Sequence, residues 1–136
     1  PERPAAGGTP VLSVRNVTAG YGALAVLKDV SFDIGRRETV AVVGESGSGK
    51  STAARVITGL LPPRRGQVLL DGQPLPPDYR ARSRDQLRQV QMIYQSADTA
   101  LNPRLSLREI VGRPAQMYLG LRGRALEERV RALLAM

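Results

Sequence analysis

Between Val42 and Pro63 the chain reads VVGESGSGKSTAARVITGLLPP, and no other stretch limits the fold so strongly. Gly44, Gly49, Lys50 and Ser51 fit the pattern G-x-x-x-x-G-K-[ST] without deviation. The apolar run TVAVVG before the loop is expected to be a strand buried on both faces. After it, Ala53, Ala54, Ile57, Leu60 and Leu61 recur at helical spacing until Pro62 and Pro63 stop the helix. Strand, glycine loop and helix in that order make a phosphate cradle: the glycines let successive N–H groups turn inward, and the helix start adds its positive end. The candidate nucleotide-binding residues of the loop are Gly44, Glu45, Ser46, Gly47, Ser48, Gly49, Lys50, Ser51 and Thr52. Lys50 is expected to reach the β and γ phosphates, and the Ser51 hydroxyl to ligate Mg²⁺. A glycine-rich turn that binds nothing is the competing reading, but chance agreement in a chain this long is on the order of one per cent.

Composition narrows the chemistry. The 136 residues contain no Cys and no His, which removes disulfides, thiolate nucleophiles and imidazole acid-base or metal chemistry. The formal charge of +8 is compatible with nucleic acid, anionic lipid or polyphosphate, and does not choose among them. Arginines are scattered from Arg3 to Arg131, as in a solvated surface, and lysine occurs only at Lys28 and Lys50. With one Phe, four Tyr and no Trp, an aromatic-basic groove for nucleic acid is absent, so no nucleic-acid partner is expected. Purely apolar runs such as VAVV fall far below a membrane span, and no direct span is expected.

Local patterns organise the rest. Residues 1–10, PERPAAGGTP, read as a linker or disordered lead-in. VLSVRNVTA and VLKDVSFDI alternate as half-buried strands around a turn at GYGA, which predicts two antiparallel strands joined near Tyr21 and Gly22. GQVLLDG reads as a strand, SRDQLRQ as one or two helical turns, and VQMIYQ again as a strand. Ser106 to Glu109, SLRE, has capping-box spacing at a helix start, and Pro114 is expected to kink or divide that helix. RALEERVRALLAM puts Leu126, Val130, Leu133 and Leu134 on one stripe. The chain begins at Pro1 and stops within a helical pattern, as a piece of a longer protein would.

Two residues away from the loop carry further possibilities. Tyr21 in its turn can stack on a nucleobase, or simply pack on its own sheet. Gln95, after an apolar strand, can ligate Mg²⁺ or orient water, or be an ordinary polar strand end. GTPases are disfavoured, because neither Asp-x-x-Gly nor Asn-Lys-x-Asp occurs.

Taken together, Tyr21, GESGSGKST, and MIYQ followed by LNPR resemble the nucleotide-binding domain of the ABC transporter family, in particular the ATPases that power uptake of oligopeptides and dipeptides. The resemblance runs from Val11 onward; the segment after Gln95 departs from it, since Ser96, Ala97 and Asp98 precede Thr99. It implies an α/β fold: a P-loop NTPase core of the RecA-like type at 39–95, an N-terminal antiparallel β region at 11–38, and a Q-loop with the start of a helical subdomain at 96–136. Together these form a partial, truncated ATP-binding domain at 11–136. It implies ATP and Mg²⁺ as ligands, Tyr21 as the adenine platform, and Ser51 and Gln95 as metal-linked residues. Implied partners are a second ABC ATPase domain and transmembrane permease subunits reached through the Q-loop, with the protein cytoplasmic and peripheral on the inner face of the cell membrane. The family's Leu-Ser-Gly-Gly-Gln signature, Walker B Asp-Glu and switch His do not occur in the chain, so no catalytic residue is assigned within it and binding without efficient hydrolysis is expected. An ABC-type ATPase acting on nucleic acid and another P-loop kinase stand as alternatives.

Overall fold

The computed structural model describes residues 8–44, 49–93 and 101–136. The chain separates into two compact units, one running to Val90 and the other starting at Gln91.

The first unit is built on four antiparallel strands. These are β1 (Leu12–Tyr21), β2 (Leu24–Ile34), β3 (Arg65–Leu70) and the short β4 (Gln73–Pro74), in the spatial order β2-β1-β3-β4. Strict alternation from Val14 would turn Asn16 inward and Val17 outward. A register shift between Val14 and Val17 reverses this, and Val17 is 0% exposed. Asn16 takes a left-handed φ of 49°, which its short polar side chain tolerates. Its amide donates to Ser31 Oγ at 2.8 Å, its Nδ2 to Asp29 Oδ1 at 2.9 Å, and the Asp29 amide to Thr18 Oγ1 at 3.1 Å. The bulge therefore keeps Leu12, Val14, Val17 and Ala19 all on the buried face.

Helix α1 (Lys50–Thr58) lies against β1 and β2 and contributes Val56 to the core, beside Leu27, Val68 and Leu75. It ends at Gly59, whose φ of 80° allows Leu60 N–H to reach Arg55 O at 2.9 Å and Gly59 N–H to reach Val56 O at 3.1 Å. Arg82 adds a second closure. Its buried guanidinium donates from Nη1 to Ile57 O at 2.7 Å and from Nε to Pro76 O at 2.9 Å. Burial lowers its pKa from the ordinary arginine value, the expected direction for a cation taken out of water. A 3-10 turn (Tyr79–Ala81) and α2 (Arg84–Gln89) follow, the latter opened by a capping box at Ser83.

Residues 39–44 and 91–93 form no strand, against the expectation for TVAVVG and for the described part of VQMIYQ. Val43 is 88% and Ile93 is 96% exposed. An apolar run expresses a demand for neighbours on both faces, and among the described residues no strand pairs with either segment.

The second unit is an antiparallel helix pair, α3 (Leu107–Leu119) and α4 (Gly123–Leu134). The Ser106 capping box forms as expected: Glu109 N–H donates to Ser106 Oγ at 3.2 Å and Ser106 N–H to Glu109 Oε2 at 2.8 Å. Pro114 does not divide α3, which continues through it. Gly112, Ala115 and Val130 are buried, and Arg108 pairs with Glu127 between the helices. Of the expected stripe on α4, only Val130 is fully covered; Leu134 is 52% exposed.

Candidate functional site

Among the described residues, no side chain caps the positive end at the start of α1. Its N-cap is Gly49, which offers no side-chain acceptor, and no acidic residue occupies the first turn. Ala53 N–H bonds to Gly49 O at 2.8 Å, leaving the N–H groups of Lys50, Ser51 and Thr52 as the orphan donors of the first turn. Gly49 has φ 97°, and a Cβ placed on it would stand 2.8 Å from Leu27 Cδ2 and 3.4 Å from Val26 Cγ1. The left-handed backbone favours glycine here, and a side chain would also have to displace Leu27.

The sequence-predicted residues are distributed around this point. Lys50 Nζ donates to the carbonyl of Gly44. Ser51 is exposed and Thr52 is buried. Glu45, Ser46, Gly47, Ser48 and Gln95 lie outside the described residues. The donor set fits a polyphosphate: a free helix N-terminus, a glycine that excludes a side chain, and one ammonium. Among the described residues no cluster of three or more carboxylates, His or Cys is arranged to hold a metal by itself. Of the described residues in the first turn of α1, exposed Ser51 carries a hydroxyl of the kind that ligates Mg²⁺.

Tyr21 ends β1, pairs with Leu24 across the hairpin turn and is 44% exposed. The structure brings it to α1, since its Oη accepts a hydrogen bond from Arg55 Nη1 at 2.8 Å. That bond is the main reason the phenol is held below its ordinary pKa; desolvation opposes it, and a hydrogen bond with the Thr52 side chain adds to it. The opposite side of the turn is held by Arg64, whose Nη2 donates to the Gly22 carbonyl and whose N–H donates to Thr18 O at 2.8 Å. Sequence reasoning missed Arg55 and Arg64. Helical spacing does put Arg55 three positions after Thr52, on the same face, which is the one signal that could have pointed to it.

The family model for the ABC transporter matches residues 27–136. The chain is 43% identical over 109 residues to the nickel import ATP-binding protein NikE of Brucella suis, an alignment that covers 80% of this chain and 41% of that protein. It is 38% identical over 130 residues to a putative peptide import ATP-binding protein of Brucella ovis, covering 92% of this chain and 41% of the relative. The chain thus spans about 41% of the length of these curated relatives. Among solved structures, an ATP binding subunit of an ABC transporter superposes with a TM-score of 0.71 at 35% identity, over 92% of this chain and 49% of that one. The cbiO1 protein of Clostridium perfringens, part of the ABC transporter complex cbiONQ, gives 0.65 at 26% identity, over 93% and 48%.

Proposed function

Because the chain belongs to the ABC transporter family, we propose that it forms the nucleotide-facing part of an importer ATPase. It binds Mg-ATP through Gly44 to Thr52, with the base on Tyr21 and the metal near Ser51 and Gln95. The observation that carries the proposal is the start of α1, a helix end with no side-chain cap among the described residues, beside Lys50 and a glycine whose left-handed backbone strains any replacement. Mg²⁺, when bound, would offset phosphate charge; the chain's own contribution is to orient the phosphates by backbone N–H groups and Lys50.

The relatives' names, nickel import and peptide import, support uptake of small solutes or peptides as the coupled process. In that reading a second ATPase domain and membrane-embedded permease subunits are the partners, the latter reached through the Gln95 segment. The protein then sits on the cytoplasmic face through those subunits. Among the described residues no helix is long and apolar enough to cross a membrane.

The signature, Walker B and switch-His motifs do not occur in these 136 residues. Calorimetry and phosphate release test the assignment together. We expect the chain to bind Mg-ATP weakly, Lys50→Ala to reduce that affinity at least about tenfold, and phosphate release to stay near background. Turnover like that of an intact ATPase, lost in Lys50→Ala, would contradict the division of labour proposed here.

A further inference from the structure

We propose that Arg55 is a positioning residue for nucleotide recognition, holding the Tyr21 ring in its base-stacking place before the nucleotide arrives. The inference rests on the reading of Tyr21 as the base platform. An aromatic ring at the tip of a two-stranded hairpin, 44% exposed, has little packing to fix its side-chain torsions. Here both ends of the side chain are fastened. The backbone end is held by the pairing of Tyr21 with Leu24 and by the Arg64 bond to the Gly22 carbonyl. The far end is held by the Arg55 Nη1 bond to Tyr21 Oη at 2.8 Å.

Arg55 stands on α1, the same rigid helix whose first turn carries Lys50, Ser51 and Thr52. One element therefore sets both the phosphate donors and the ring, so the spacing between phosphate and base sites is fixed through Arg55 and not only through the hairpin. Pre-ordering of this kind raises affinity by removing the entropy lost when a free ring is immobilised on binding. The consequence is selective: it strengthens ligands that carry a base and leaves the bare polyphosphate alone.

The test compares Mg-ATP with Mg-tripolyphosphate, which has the phosphates and no base, by titration calorimetry on the protein and four variants. Arg55→Gln keeps helix propensity and removes the cationic donor. Tyr21→Phe keeps the ring and removes the hydroxyl. Each is expected to weaken ATP by about threefold to tenfold with tripolyphosphate unchanged. The double variant Tyr21→Phe/Arg55→Gln should lose no more than either single one, since both remove the same bond. If Tyr21→Ala weakens ATP selectively while Arg55→Gln and Tyr21→Phe do not, the positioning role is overturned and the platform reading survives. Equal losses for both ligands in Arg55→Gln, with Tyr21→Phe silent, would overturn it as well, by showing a general effect on phosphate charge. If Tyr21→Ala leaves ATP and tripolyphosphate unchanged, the platform reading itself fails and takes this inference with it.

Discussion

Gly49 meets two demands at once, a φ of 97° and a side of the backbone pressed against Leu27. Gly49→Ala should therefore cost about 1–3 kcal/mol in urea unfolding, from the left-handed backbone and the displaced leucine together. It should also weaken nucleotide binding, because the strained backbone lies at the start of the helix that presents the phosphate donors. Arg82 is the corresponding case away from the site. Replacing it with Met keeps the packed stem but leaves the Ile57 and Pro76 carbonyls without their donor. We expect a loss of about 2–3 kcal/mol, and Arg82→Lys should recover only part of it, since one ammonium does not reproduce a planar fork. The two residues differ in how readable they were. Gly49 is announced by a local pattern of eight residues, whereas Arg82 meets Ile57 across 25 positions and Arg55 meets Tyr21 across 34. Scattered arginines looked like solvated surface, and for several they are: the Arg36–Asp71 and Arg124–Glu128 pairs are exposed. Of the three that fasten the hairpin and α1, Arg64 and Arg82 carry no local mark, and Arg55 only its spacing from Thr52.

The helices of the second unit show what local rules do reach. The Ser106–Glu109 box is written in four consecutive residues and forms, and the Ser106 backbone N–H holds the Glu109 carboxyl below the usual carboxylate range. A depressed carboxylate stabilises above its unfolded pKa and loses that contribution as pH falls through the folded one. Acidification below the usual carboxylate range should thus fray the first turn of α3, read as faster amide exchange at 107–110. Glu109→Gln, which can still accept the bond, should flatten that pH dependence. Gly112 offers a second check. A Cβ there would lie 3.5 Å from Val130 Cγ2, ordinary contact, with no left-handed backbone to strain. Gly112→Ala should then stabilise the helix pair by up to about 1 kcal/mol, while Gly112→Leu should destabilise it by overfilling the same gap. Pro114 was expected to kink or divide this helix and does not divide it: an absent N–H costs one bond, to the Ile110 carbonyl, and capping and packing on α4 keep the helix continuous. The β1–β2 hairpin was legible from alternation and its glycine turn. Its bulge was not, because it arises from Asn16, Asp29, Ser31 and Thr18 meeting across strands.

The largest departure from sequence reasoning concerns the segments at 39–44 and 91–93, whose composition asks for a buried parallel sheet that the described residues do not assemble. Burial on two faces is a property of an assembled sheet, so a single run can state the requirement without meeting it. The result is exposed apolar side chains at Val42, Val43 and Ile93, the kind of surface through which chains associate. Against this works a formal charge of +8, which keeps copies apart at low ionic strength. The two forces respond oppositely to salt. Association through charged groups weakens as salt is added, whereas association through apolar surface strengthens as the like-charge repulsion is screened. We therefore expect the 136-residue chain to bind a hydrophobic dye and to shift toward larger species in sedimentation as salt rises from about 50 mM to 500 mM, where the Debye length falls to a few ångströms. Val43→Ser should lower both signals, and Val43→Ser with Ile93→Ser should lower them further. Loss of the larger species at high salt would assign the association to charge and remove the exposed apolar segments as its cause.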